Sequence, residues 1–249
     1  MALHEPDSSE VRWAELDEVT RALEALADTL SDEADFQVAL DQACRQVIQA
    51  VPGVDMASVT IVRDGKAETL AATDSRIISL DVDQYRAGQG PSLHAVTTGE
   101  LVRIQVDQAQ RWPAFAEAAR RAGIGSFLSA PLPIDSEFTG SVNCYGLQHH
   151  GFRELDAQLL ALYTTAVKAA LRSVRRYQQA RDLTEQLRSA LTSRAVIDQA
   201  KGVLMAVHHI DADTAFATLV GQSQRENVKL RDLATRLVTA VVQSRRSDR

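Results

Sequence analysis

Cysteine is scarce in this sequence: Cys44 and Cys144 are the only two among 249 residues. They make neither a metal-ligand spacing nor a disulfide framework, which fits a reducing compartment. Long apolar runs are also missing, since charges interrupt every hydrophobic stretch well short of the ~20 residues a membrane span needs. The opening segment 1–19 is acidic and lacks the basic and apolar regions of a secretory signal, so a cytoplasmic protein with no membrane contact is expected. The histidine pairs His149–His150 and His208–His209 are adjacent, so their rings point apart on a helix or strand, and no Cys, Asp or Glu stands at a ligand interval. The glycines of Gly88-Gln89-Gly90 lack the spacing of a dinucleotide fingerprint or a phosphate loop. No cofactor, metal or catalytic triad is therefore expected, and the chain does not read as an enzyme.

Apolar residues make up 45% of the chain and charged residues 24%, with a net charge of -6. The length suits one large domain or two modest ones. The charge is unevenly placed: residues 1–41 hold 2 basic and 12 acidic residues, and residues 187–249 hold 10 basic and 6 acidic. A polyanion would therefore meet the C-terminal end, unless both ends are simply solvated.

Two helices are expected over 11–51, the first marked by Leu16, Val19, Leu23, Leu26 and Leu30, the second by Phe36, Leu40, Cys44, Val47 and Ile48. From Asp55 the period changes to two, and Asp64-Gly65 turns the chain into a second strand near Ala67–Thr73, a β-hairpin. A glycine-rich loop, Tyr85 to Pro91, leads to a short helix over Ser92–Thr98 and a strand over Leu101–Val106. Trp112-Pro113 opens a helix over Ala114–Ala122, and strands follow over Ser126–Leu132 and Gly140–Leu147. This order predicts an antiparallel sheet with flanking helices, an α+β layout.

From Arg153 to about His208 there is no Pro and one Gly. Leu155, Leu159, Leu162, Ala166, Ala170, Val174 and Tyr177 mark a face that Leu183, Leu187 and Leu191 continue. Such a length points to a coiled-coil stalk, and a seam with nothing in the sequence to cover it points to a parallel homodimer. Three helices are then expected in a compact all-α bundle: Ser193–Val207, a second capped by Asp211 or Asp213 and running to about Arg225, and a third capped by Asn227.

The run Ser193-Arg194-Ala195-Val196-Ile197-Asp198-Gln199-Ala200-Lys201-Gly202-Val203-Leu204-Met205, then Asp213-Thr214-Ala215-Phe216, then Asn227-Val228-Lys229-Leu230-Arg231-Asp232-Leu233-Ala234, resembles the ANTAR domain over about 187–243. Topology together with Gly88-Gln89-Gly90-Pro91-Ser92-Leu93-His94-Ala95 resembles a GAF domain over about 14–175. The division this implies is an acidic tail 1–13, a GAF sensor 14–175, a stalk 153–191 overlapping its last helix, an ANTAR domain 187–243 and a tail 244–249. GAF domains joined to ANTAR domains often carry Cys where this chain has Ser92. The resemblance implies an antiterminator that binds paired RNA stem-loops with hexanucleotide loops overlapping an intrinsic terminator, under control of a signal sensed by the GAF domain.

RNA binding needs a basic, partly polar face that meets phosphates and unstacked bases. Arg194 and Lys201 are two turns apart on one face with Asp198 between them, and are assigned to phosphate or base-edge contacts. Asn227, Lys229 and Arg231 open the third helix, where free N–H groups favour an anion, with Gln224 and Arg225 beside them. Each of these also reads as a solvated helix charge. Ala200 and Gly202 read as close-packing residues, and Phe216, in a run with Ala215, Leu219 and Val220, reads as core. Gly90, Pro91 and Ser92 are the expected lining of a GAF cavity for an unidentified small molecule. The acidic first helix either shields the basic tail or pairs with its twin. The competing function is a ligand-sensing or protein-docking module without RNA. A DNA-binding factor is disfavoured, because no helix carries a dense set of base-reading side chains.

Overall fold

The computed structural model describes Asp17, Thr20, Arg21, Glu24, 35–149 and 151–247, in two compact units, Met1–Tyr177 and Gln178–Arg249. The helix expected over 11–30 lies outside the described residues apart from those four isolated positions.

The first unit is built on a five-stranded antiparallel sheet of order β2-β1-β5-β4-β3. Its strands are β1 (Met56–Arg63), β2 (Lys66–Ala72), β3 (Val102–Gln105), β4 (Ser126–Pro131) and β5 (Thr139–Gly146). Asp64 and Gly65 both adopt left-handed conformations, φ 51° and 74°, the pair of values a tight hairpin turn requires. Helix α1 (Phe36–Ala50) covers one face of the sheet, capped by Asp35. Ala57, Val59, Ile61, Leu128, Ala130, Val142 and Cys144 point to that face and are buried in the main core with α1. Both cysteines are buried, and burial pushes both thiols up from their ordinary range, as small apolar groups would be.

The opposite face is covered by α2 (Ser75–Ala87), α3 (Pro91–Thr98) and α4 (Pro113–Arg121). Helix α2 was not expected from the sequence, in which 74–84 carries no assigned element. Its signals are present but quiet. Asp74 accepts from the Arg76 N–H at 2.8 Å as N-cap, and Gly88 ends the helix in the left-handed region. Its four buried positions recur at three- and four-residue intervals, but two of them, Asp81 and Gln84, are polar. A hydrophobic count passes over such a helix.

Helix α5 (Glu154–His208) is continuous for 55 residues and includes the expected first terminal helix. Its buried face in the first unit keeps Leu159 and Val174 of the expected stripe but is otherwise rotated from it. Leu160, Tyr163, Val167, Leu171 and Val174 are buried, whereas Leu162 is 48% exposed. Tyr163 sets this rotation: its ring is buried and its hydroxyl donates to the Ala43 carbonyl on α1 at 2.9 Å.

The second unit packs the end of α5 with α6 (Ala212–Glu226) and α7 (Leu230–Ser247) around Ala200, Leu204, Ala215, Leu219, Leu233 and Ala234. Asp211 is the cap of α6, accepting from the Thr214 N–H at 2.7 Å. Asn227 does not open the third helix as expected. It closes α6 in the left-handed conformation that asparagine tolerates well, its N–H bonding the Ser223 and Gln224 carbonyls. The first turn of α7 hangs instead from the Lys229 carbonyl, which accepts from Asp232 and Leu233.

Candidate functional site

Under α2 the sheet is polar. Alternation sends Ser58 and Thr60 of β1, Ser129 of β4, and Ser141 and Asn143 of β5 to this face, and all are fully buried. The Asn143 amide ties them together. Its oxygen accepts from Ser129 and Ser141 at 2.7 and 2.9 Å, and its nitrogen donates to Ser58 and Thr60 at 3.2 and 2.8 Å. Asp81 descends from α2 into this layer. Its carboxylate accepts from Ser58 at 2.7 Å, from Thr69 at 3.1 Å and from the Tyr145 hydroxyl. Burial pushes the Asp81 carboxyl up to about 6, against the opposing pull of those three donors. One turn on, the Tyr85 hydroxyl lies 2.8 Å from Thr60 and 2.7 Å from Thr69.

Gln84 joins this helix to the glycine-rich loop. Its side-chain oxygen accepts from the backbone N–H and the hydroxyl of Ser92, at 3.0 and 2.8 Å. Only an oxygen can accept from a backbone N–H, so the amide orientation is set, and its buried nitrogen has no protein partner. A Cβ at Gly90 would overlap this amide, so glycine is required there by close approach.

Two clefts flank the loop. The larger, about 930 Å³, is lined among others by Lys66, Tyr85, Gln89, His94, Arg111 and Trp112, and Gly88 and Gly90 form part of its wall. No acidic residue lines it. Arg111 lies over the Trp112 ring, 4.8 Å from its centroid, and its guanidinium nitrogens stand 3.2 and 3.4 Å from the two His94 nitrogens. The smaller cleft, about 460 Å³, lies between α2 and α4 beside Gln84 and Phe115. Of the three residues expected to line a cavity, Gly90 does so. Pro91 and Ser92 are buried, Ser92 being engaged with Gln84.

In the second unit Asp198 is shared: its carboxylate lies 3.9 Å from Arg194 and 3.7 Å from Lys201. The Arg194 side chain is 84% exposed, the Lys201 side chain 25%. Lys201 lies 5.9 Å from the ring centroid of Phe216, which is 42% exposed and so is not the core residue the sequence suggested. The apolar run misled because Ala215 and Leu219 share one side of α6, and Phe216 sits about 100° around the helix from Ala215. Gly202 also departs from expectation, since a Cβ there would meet nothing within 4 Å, while Ala200 is buried in the core. Gln224, Arg225, Asn227, Lys229 and Arg231 are all exposed. Arg231 pairs with Asp232 at 3.2 Å and reaches Ser189 of α5 at 3.5 Å.

Among the described residues no group of His, Cys, Asp and Glu could hold a metal ion, and no single helix is long and apolar enough to cross a membrane.

A GAF domain model matches residues 33–172 and an ANTAR domain model matches residues 185–238. The chain belongs to the GAF family, its GAF domain followed by an ANTAR domain. GAF domains are sensors and ANTAR domains are characteristic of RNA-binding antitermination regulators, so both parts are regulatory. No curated protein matches the chain in sequence. Among solved structures, the fold is similar to that of free methionine-R-sulfoxide reductase from Neisseria meningitidis in complex with its substrate. The identity is 16% over 71% of this chain and 98% of that chain, with a TM-score of 0.52. It is also similar to the phycoerythrobilin-bound GAF domain from a cyanobacterial phytochrome, at 12% identity over 64% of this chain and 97% of that chain, with a TM-score of 0.50. Likeness at these identities speaks to the fold alone.

Proposed function

We propose that the chain is a cytoplasmic, homodimeric antiterminator that binds tandem RNA stem-loops with hexanucleotide loops and so prevents an intrinsic terminator from forming. The observation that carries this reading is the ANTAR match over 185–238 on a unit whose Arg194, Arg225, Lys229 and Arg231 all stand exposed. Arg194 and Lys201 contact phosphates or base edges, and Gln224, Arg225, Asn227, Lys229 and Arg231 the loop backbone. Exposed cations release condensed counterions when they meet phosphates, the salt-dependent part of such binding.

Dimerisation uses α5. Leu183, Leu187 and Leu191 recur every fourth residue and are 56%, 56% and 68% exposed. These exposed leucines lie along one side of the helix and supply the apolar seam that a two-chain coil would bury. The signal is a small molecule in the GAF domain, taken by the cleft that Gly90 lines. Its cation-only charged lining favours an anionic ligand.

Binding of the full-length chain to a transcript with two hexaloop stem-loops, at two salt concentrations, tests the reading together with terminator readthrough in a purified transcription reaction. Salt-sensitive, loop-dependent binding with increased readthrough is expected. Indifference to every looped transcript would leave the chain a sensing or docking module.

A further inference from the structure

We propose that Phe216 and Lys201 form a stacking site for one unpaired base of the RNA loop. The ligand class rests on the antiterminator reading, and the geometry supplies the rest. Between residues 178 and 249 Phe216 is the only Phe, Tyr or Trp in the sequence. The three-helix core is closed without it, by Ala200, Leu204, Ala215, Leu219, Leu233 and Ala234 with partly buried aliphatic neighbours. The single aromatic ring of this unit is thus not used where aromatic rings stabilise most, and 42% of the residue faces solvent. Of its neighbours three and four residues away on α6, Asp213 is exposed, Ala212 and Val220 are half-buried and Leu219 is buried, so the ring stands at the edge of the bundle.

A cation stands over the ring. The Lys201 ammonium is 5.9 Å from the centroid, and Asp198 holds it from the side at 3.7 Å. Arg194, on the other side of Asp198, is almost wholly exposed. A half-exposed aromatic ring with one cation over it and a second nearby matches what an unstacked nucleotide presents, a flat base and an adjoining phosphate. The ring takes the base, and Lys201 and Arg194 take the phosphates. The surface is distinct from the leucine stripe: Leu191 is ten residues before Lys201, about 15 Å along α5.

Stacking and phosphate contact separate by salt dependence. Stacking on an uncharged ring releases no counterions, whereas each lysine–phosphate contact adds about one to the salt slope. The full-length chain is titrated with tandem hexaloop RNA carrying 2-aminopurine at one loop position at a time. The wild type should quench the probe at one position in the loop. Phe216→Ala should abolish that quenching and weaken binding on the order of tenfold with an unchanged salt slope, and Phe216→Tyr should restore both. Lys201→Ala should lower the slope by about one and keep the quenching. Phe216→Ala should still unfold in one cooperative transition, because the three-helix core is closed without Phe216. Wild-type affinity and quenching in Phe216→Ala overturn the proposal while leaving the antiterminator reading intact. Loss of binding together with loss of the dimer in Phe216→Ala also overturns it, since Phe216 is then a contact between copies. A wild-type chain that binds none of these RNAs removes the antiterminator reading, and this proposal with it.

Discussion

The Gln84 side-chain oxygen accepts two hydrogen bonds from Ser92, at 3.0 Å from its backbone N–H and at 2.8 Å from its hydroxyl. One amide thus fastens α2 to the start of α3, and Gly90 leaves it the room to do so. Gln84→Ala leaves two buried donors of Ser92 unpaired, which costs about 2 kcal/mol. Ser92→Ala removes one donor and costs about 1 kcal/mol. Thermal melting should rank them in that order, the difference amounting to about 3 °C for a domain of this size. Equal melting temperatures would show that the amide does not hold the two helices.

Asp81 makes stability depend on pH. Its carboxyl is raised from an ordinary value of 3.8 to about 6, so the folded chain binds its proton more tightly than the unfolded chain does. Its contribution is therefore greatest below about pH 4 and is lost as pH rises to about 6, by about 3 kcal/mol in all. Asp81→Asn keeps one acceptor and cannot ionise. Relative to the wild type it should gain stability between pH 4 and pH 7, measured by urea unfolding at each pH. A constant difference across that range would mean that the carboxyl does not titrate there.

Lys201→Ala should weaken stem-loop binding several-fold and lower its salt slope by about one, while far-ultraviolet circular dichroism stays unchanged. The Asp198 partner of Lys201 is 58% exposed, so solvent screens the pair and it contributes little to stability. Equal affinity at low and high salt for variant and wild type would take Lys201 out of the interface.

Leu187→Glu places a charge in the exposed leucine stripe of α5. Sedimentation should find the wild type as a dimer and the variant as a weaker dimer or a monomer, with the fold unaltered. A wild-type chain that sediments as a single protomer at all concentrations ends the coiled-coil proposal.

Several elements were legible from local pattern alone. The hairpin was, because Asp64-Gly65 can supply two left-handed residues between alternating strands. The long helix was, because Arg153 to His208 has no proline. Helix α2 was not, although it carries Asp81, Gln84 and Tyr85. Half of its buried positions are polar: Asp81 is satisfied by Ser58, 23 residues away, and Tyr145, 64 residues away, and Gln84 by Ser92 across the glycine-rich loop. Asp74 before the helix and Gly88 after it were the signals that could have revealed it.

By itself the sequence determined the order of the elements other than α2, the sensor-then-output arrangement and the cationic positions of the last three helices. Each of those depends on near neighbours in the chain: turn chemistry, periodicity, and motif spacing. Tertiary packing alone decided which face of each helix is buried. It turned Tyr163 inward and Leu162 outward, made Asn227 an end rather than a beginning, and left Phe216 beside Lys201 in solvent. The physical reason is that a helix offers several faces of similar apolarity. Which one wins depends on the shape and hydrogen-bonding groups of the surface that it meets, and those belong to distant residues.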